Sequence, residues 1–272
     1  MSPLNYDPRE RQIPAIDASF NGENYHQQPV DLGHARSHER LVELSSLGFH
    51  GENFYARNDG LNPPYFKAFP GAVSGLWCRE SVAERLKQVN DSLAPLNVEL
   101  FVLDAFRPIE VQVAIFNFFM EFAQSTLDDP TPEACREFVA QYASDPTNYN
   151  ERDSTTWPQH LTGGAIDLTL KRKGSGELLY MGGVFDDPSE ISHTDYYENL
   201  NGCFSTSCSE AQCNRRLLFW SMVEAGFSNW PHEFWHYDYG DQQWSMFRRA
   251  LGFERQTSWF GPTQLPEASL AR

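Results

Sequence analysis

Two adjacent glycines between a histidine and a carboxylate, in His160-Leu-Thr-Gly163-Gly164-Ala-Ile-Asp167, are the strongest constraint on how this 272-residue chain can fold. Glycine lets a backbone turn where other residues are strained. The apolar, β-branched run that follows, to Leu170, predicts a strand leaving that turn. A sharp turn there brings His160 and Asp167 toward one point. Imidazole nitrogen and carboxylate oxygen are both zinc donors, at about 2.0–2.2 Å. Taken alone, the segment equally describes a plain Gly-Gly turn with its two polar side chains capping it.

A second segment, Pro231-His232-Glu233-Phe-Trp-His236-Tyr237, spells H-E-x-x-H. In a helical zinc peptidase that spacing puts two histidines on one helix face. Here Pro231 precedes it, aromatic residues fill it and Tyr237-Asp-Tyr-Gly240 follows, which favours strand and turn. Glu233 and His236 are then the working residues and His232 a neighbour. A third segment, Leu103-Asp104-Ala-Phe-Arg107-Pro108, sets a fixed cation at the end of an apolar strand. Such an arginine either pairs with a structural carboxylate or stabilises charge in a site.

Periodicity supplies the frame. Val82, Leu86 and Val89 predict a helix over 79–93, and alternation predicts a strand over 98–103. Pro108 opens a helix carrying the apolar run 111–122, and Thr131-Pro132-Glu133 starts another that continues to about Tyr142. Further readings are a hairpin from Ala165–Leu170 through Gly174-Ser-Gly176 to Leu178–Met181, a helix over 214–224 and a strand over 234–239. The irregular alternation points to an α+β fold, a mainly antiparallel sheet flanked by helices. Residues 1–45 show little periodicity and read as an extended N-terminal arm, with 46–272 as one catalytic domain.

Composition excludes some functions. With 37 acidic against 21 basic residues the chain carries a formal charge of −16 and no basic run, which argues against nucleic acid. No apolar stretch reaches the roughly eighteen residues of a membrane span. The polar start lacks a secretory signal, so the chain reads as cytoplasmic, with the periplasm left open. Five cysteines are too few for a disulfide scaffold. Cys203, Cys208 and Cys213 could form a small structural metal site, the default being buried or disulfide-linked thiols.

Together the three segments resemble the D-alanyl-D-alanine dipeptidases of the zinc D,D-peptidase family, which includes vancomycin-resistance enzymes. The family pattern S-x-H-x-x-G-x-A-x-D is met by His160, Gly163, Ala165 and Asp167, E-x-W-H by Glu233, Trp235 and His236, and D-x-[FY]-R-P by Asp104 to Pro108. The likeness runs from about residue 55 to 240, through Tyr55-Ala56, Met181-Gly182-x-x-Phe185-Asp186 and Ser192-His193. It implies a hedgehog/DD-peptidase-like fold and one zinc ion per chain on His160, Asp167 and His236. It further implies Glu233 as the base, Arg107 on the oxyanion, and Asp186 with Tyr55 on the substrate's free amino group. The expected substrate is D-Ala-D-Ala or a related dipeptide. The alternatives are a peptidoglycan D,D-carboxypeptidase or endopeptidase, or an inactive zinc-binding module. No nucleic-acid or membrane partner is expected, and self-association is left open. One departure stands out: Pro158 occupies the position of the family serine.

Overall fold

The structure is a computed structural model that describes residues 7–15, 22–200, 205–254 and 256–266. In chain order its elements are strands β1 (Leu41–Glu43), β2 (His50–Gly51) and β3 (Trp77–Arg79), helix α1 (Glu80–Leu93) and strand β4 (Val98–Asp104). Helices α2 (Ile109–Thr126) and α3 (Pro132–Val139) precede strand β5 (Ala165–Arg172). Helices α4 (Tyr196–Asn199) and α5 (Thr206–Glu224), strands β6 (Ser228–Asn229) and β7 (His236–Asp238), and helix α6 (Gln242–Ala250) complete the chain.

Five strands form the main sheet in the order β2-β4-β5-β7-β6. Only β2 runs parallel to its neighbour, and the other pairs are antiparallel. The fold is thus the expected α+β arrangement with a mainly antiparallel sheet. A separate antiparallel pair joins β1 to β3.

The faces of the sheet follow from the ladder. Cross-strand partners share a face and successive residues alternate. Leu100 pairs with Leu170, Val102 with Leu168, and Ile166 with Tyr237, so these side chains form one apolar face. They join Val82, Leu86 and Val89 of α1 and Leu217, Leu218 and Met222 of α5 in the main core. Helix α1 lies where its 3.6-residue period predicts, and Asn97, in the left-handed region at φ 57°, turns the chain into β4. Helix α2 starts directly after Pro108, again as expected.

Helix α5 begins at Thr206 rather than Asn214. Its first turns are polar, so no apolar period announces them; Ser205 starts the helix by accepting the Cys208 N–H at 3.2 Å. Cys208 and Cys213 lie on this helix, while Cys203 falls outside the described residues. The expected hairpin after β5 is short, a single bridge between Lys171 and Leu178. The described parts of the N-terminal region lie against the body. Ile13 packs on Phe219 and Trp220, and Val30 bridges Ser258. Among the described residues no helix is long and apolar enough to cross a membrane.

The opposite face carries the polar row. Val102 pairs with Leu168, but Asp104 pairs with Asp167, so β4 holds one extra residue there. That bulge turns Asp104 onto the face of Asp167. His236 is Asp167's partner on the other side. Asp104, Asp167 and His236 therefore stand in one line across three strands.

Beside this row, the segment 181–193 is clamped by Arg215 of α5, which is 1% exposed. Its guanidinium donates to the carbonyls of Met181, His193 and Ile191, each at 2.7 Å, and lies 4.2 Å from the Phe234 ring centroid. Gly182 makes room for Tyr197: at φ +77° it approaches the ring so closely that a Cβ would lie 2.1 Å from the hydroxyl. A planar fork of donors meets three carbonyls in a way one ammonium does not. Arg215→Lys should therefore destabilise the fold by roughly 3 kcal/mol, since a hydrogen bond to a charged group contributes about 1.5–3 kcal/mol; urea unfolding reads the change. Stability equal to wild type would show that the clamp is dispensable.

Candidate metal centre and its cleft

His160 closes a short 3-10 turn, Gln159–Thr162, that ends at Gly163 in the left-handed region, φ +73°. The next glycine is needed for space, because a Cβ on Gly164 would lie 2.7 Å from the Tyr239 carbonyl oxygen. The turn delivers His160 beside the start of β5, and two residues of strand then carry the chain from Ala165 to Asp167.

Each imidazole is oriented through the nitrogen that faces away from the centre. His160 Nδ1 donates to the Ala105 carbonyl at 2.7 Å, so its Nε2 carries the lone pair. That Nε2 lies 3.2 Å from His236 Nδ1 and 3.3 Å from Asp167 Oδ2. His236 Nε2 faces Asp238 Oδ1 at 3.0 Å, and its Nδ1 lies 3.0 Å from Asp167 Oδ1. One ligand atom from each of His160, Asp167 and His236 falls within 4.8 Å of the others.

The electrostatics of this trio favour a cation. Burial alone would raise the Asp167 carboxyl, but His160 and His236 outweigh it and hold the group well below the usual carboxylate range. Burial alone would lower His236, yet the carboxylates of Asp238 and Asp167 push it well above the usual imidazole range. Two imidazole nitrogens and a carboxylate converging where positive charge is stabilised fit a zinc-type donor set.

Glu233 follows the Trp230–Pro231 turn, with Oε2 3.7 Å from His236 Nδ1. Asn229 holds that turn by donating to the Glu233 and His236 carbonyls, both at 2.9 Å. Burial, reinforced by Asp167 and Asp186, raises the Glu233 carboxyl well above its ordinary value. The H-E-x-x-H segment is turn and strand rather than helix. His232 accordingly points elsewhere, with Nδ1 3.3 Å from His193 Nε2.

Arg107 pairs with a buried carboxylate and also lines the cleft. Its Nε donates to Asp104 Oδ2 at 2.8 Å and one terminal nitrogen to Gln112 Oε1 at 2.9 Å. The other terminal nitrogen reaches the Tyr55 hydroxyl at 3.1 Å and Asp167 Oδ2 at 3.2 Å. Asp186, in the left-handed region at φ 60°, accepts the Tyr55 and Tyr65 hydroxyls on Oδ2 at 2.8 and 2.9 Å. Burial and the nearby Asp167 push its carboxyl up to about 7, with Arg107 and the two tyrosines opposing.

All seven residues singled out in the sequence, His160, Asp167, His236, Glu233, Arg107, Asp186 and Tyr55, line one cleft. Pro158 precedes the His160 turn, and its neighbour Gln159 lines the same cleft. Sequence reasoning missed Tyr65, Asp104 and Asp238 as members of the surrounding network. Asp104 stood inside a motif already noticed, and the two-residue strand period links Asp238 to His236. Tyr65 carried no comparable signal.

The profile of the D-Ala-D-Ala dipeptidase family matches residues 73–256. A D-alanyl-D-alanine dipeptidase of Synechocystis sp. is 34% identical over 181 residues, covering 61% of this chain and 70% of that protein. One from Enterococcus faecium is 34% identical over 161 residues, covering 59% and 72%. A crystal structure of the vancomycin-resistance D,D-pentapeptidase VanY in complex with Zn(II) is similar at a TM-score of 0.41 and 15% identity, over 83% of this chain and 89% of that one. With most of its length matched by the family profile, this chain belongs to the D-Ala-D-Ala dipeptidase family and is a metallopeptidase.

Proposed function

We propose that the chain hydrolyses D-Ala-D-Ala or a closely related free dipeptide, in a zinc-dependent reaction with Glu233 as general base. The observation that carries this reading is the convergence of His160 Nε2, Asp167 and His236 Nδ1 beside Glu233 and Arg107 in one cleft. A zinc ion held by His160, Asp167 and His236 supplies Lewis acidity, which makes water more acidic and a carbonyl more electrophilic.

The protein groups divide the remaining work. Glu233, whose surroundings make its carboxylate a stronger base than usual, takes a proton from the attacking water and returns it to the leaving amine. Arg107 faces negative charge developing on the carbonyl oxygen. Its links to Asp104 and Gln112 fix the guanidinium beforehand, so little reorganisation accompanies the reaction.

Asp186 receives the substrate's ammonium, with Tyr55 and Tyr65 holding its carboxylate in place. An ammonium leaving water needs such a partner. This anchor favours a free dipeptide over an acylated chain, which brings no charge to meet it.

Three outcomes are expected. Zinc-loaded protein should release D-alanine from D-Ala-D-Ala and leave N-acetyl-D-Ala-D-Ala intact. Silence on the free dipeptide with zinc bound sinks the reading, and equal cleavage of the acetylated one reassigns the enzyme as a carboxypeptidase. Glu233→Gln should lower kcat by about 10²–10⁴-fold with zinc content unchanged by elemental analysis. Below about pH 7 the Asp186 carboxyl is protonated and no longer attracts the ammonium, so KM for the dipeptide should climb as pH falls through that value. Asp186→Asn should show a raised KM without that pH dependence; a profile like that of wild type would remove Asp186 from substrate binding.

A further inference from the structure

His160 Nδ1 donates to the Ala105 carbonyl at 2.7 Å and lies 3.5 Å from Asp104 Oδ2, whereas the outward nitrogen of His236 faces Asp238 Oδ1 at 3.0 Å. Asp238 lies two residues beyond His236 on β7, and the strand period puts both side chains on one face of the sheet. Its backbone is fixed from both sides, paired with Ala165 of β5 and Ser228 of β6. The side chain is fully buried. The Asp241 side chain lies within hydrogen-bonding reach of the Asp238 carboxyl.

A buried carboxylate is costly unless it is paired and hydrogen-bonded. His236 supplies the adjacent contact, and it stands between two carboxylates, with Asp167 Oδ1 at 3.0 Å from Nδ1 and Asp238 Oδ1 at 3.0 Å from Nε2. Asp241 adds a third buried carboxyl; its Oδ1 accepts the Trp244 N–H, and burial together with the adjoining Asp238 raises its carboxyl well above the ordinary value, so that it can share a proton with Asp238. Arg36 reaches the hydroxyl of Tyr239 at 2.6 Å rather than either carboxylate. Asp238 thus presents one oxygen, Oδ1, to the outer edge of the His236 ring, 3.0 Å from Nε2.

We propose that Asp238 is a positioning residue of the metal centre: it holds the proton of His236 on Nε2 and thereby presents Nδ1, with added basicity, as the ligand atom. This rests on the reading of His160, Asp167 and His236 as the metal set. A carboxylate behind a ligating histidine fixes the ring and its tautomer and strengthens it as a donor. Asp238 touches neither substrate nor the reacting atoms, so its effect passes through His236. A role confined to tying β7 into the sheet would leave metal affinity unchanged once the chain is folded.

The test measures zinc affinity by competition with a chromophoric chelator. Relative to wild type, Asp238→Ala should bind zinc roughly 10–100-fold more weakly. Asp238→Asn, which keeps an acceptor oxygen without the charge, should fall between the two. Thermal unfolding of each zinc-free protein checks the fold. Wild-type affinity in a folded Asp238→Ala protein overturns the proposal.

A second measurement needs no variant. In the zinc-loaded wild-type protein, long-range proton–nitrogen NMR of the histidine rings should find the His236 proton on Nε2. A proton on Nδ1 overturns the proposal even if the Ala variant does not fold. Wild-type protein with no zinc affinity overturns the metal-centre reading and this one with it, whereas zinc-binding wild type with an unaltered variant overturns this one alone.

Discussion

The register of three strands is the constraint on which the rest of the site depends. Asp104, Asp167 and His236 share a line because β4, β5 and β7 pair in one particular alignment. A slip of one residue between β5 and β7 would turn His236 toward the apolar face and break the row. The alignment is secured by the face opposite the site, where Leu100, Val102, Ile166, Leu168 and Leu170 are all buried. Any slip would expose these residues as it displaced the polar ones. Hydrophobic burial on one side of the sheet thus fixes chemistry on the other. Only Asp104 needs a local device, the bulge that turns it from the face of Val102 to that of Asp167.

Charge in the cleft is unbalanced by design of its neighbours. Asp104, Asp167, Asp186, Glu233 and Asp238 are all buried, and Arg107 is the fixed cation among them. Such a group of carboxylates is stabilised by protons or by a metal ion. The raised carboxyls of Asp186 and Glu233 and the raised imidazole of His236 express that demand in protons. A metal ion answers the same demand, so metal binding and folding should reinforce each other.

The sequence was most legible where one local signal decided the outcome. The period of α1, the alternation of β4 and Pro108 ahead of α2 each marked an element that the structure contains. The aromatic content of 234–237 and Pro231 were enough to set aside a helix through H-E-x-x-H. The first turns of α5 were hidden because their polar residues show no apolar period. Tyr65 was hidden for another reason: its partner, Asp186, lies 121 residues further on, and only the folded chain brings them together. Arg107 admitted two readings in the sequence; the fold shows the ion pair with a structural carboxylate and also places the guanidinium in the cleft. Its guanidinium is long enough to pair with Asp104 while another edge reaches Tyr55.

The Tyr55 hydroxyl has a place in the cleft that neither neighbour shares. It accepts from Arg107 and donates to Asp186, so a single oxygen joins the guanidinium to the carboxylate 131 positions after the tyrosine. On the proposed reading, a substrate ammonium meeting Asp186 would draw on a carboxylate that already holds the Tyr55 proton. Any slackening of that bond alters what the hydroxyl can offer the guanidinium. The guanidinium and the carboxylate are thus coupled through one rotatable O–H, with no loop or domain between them.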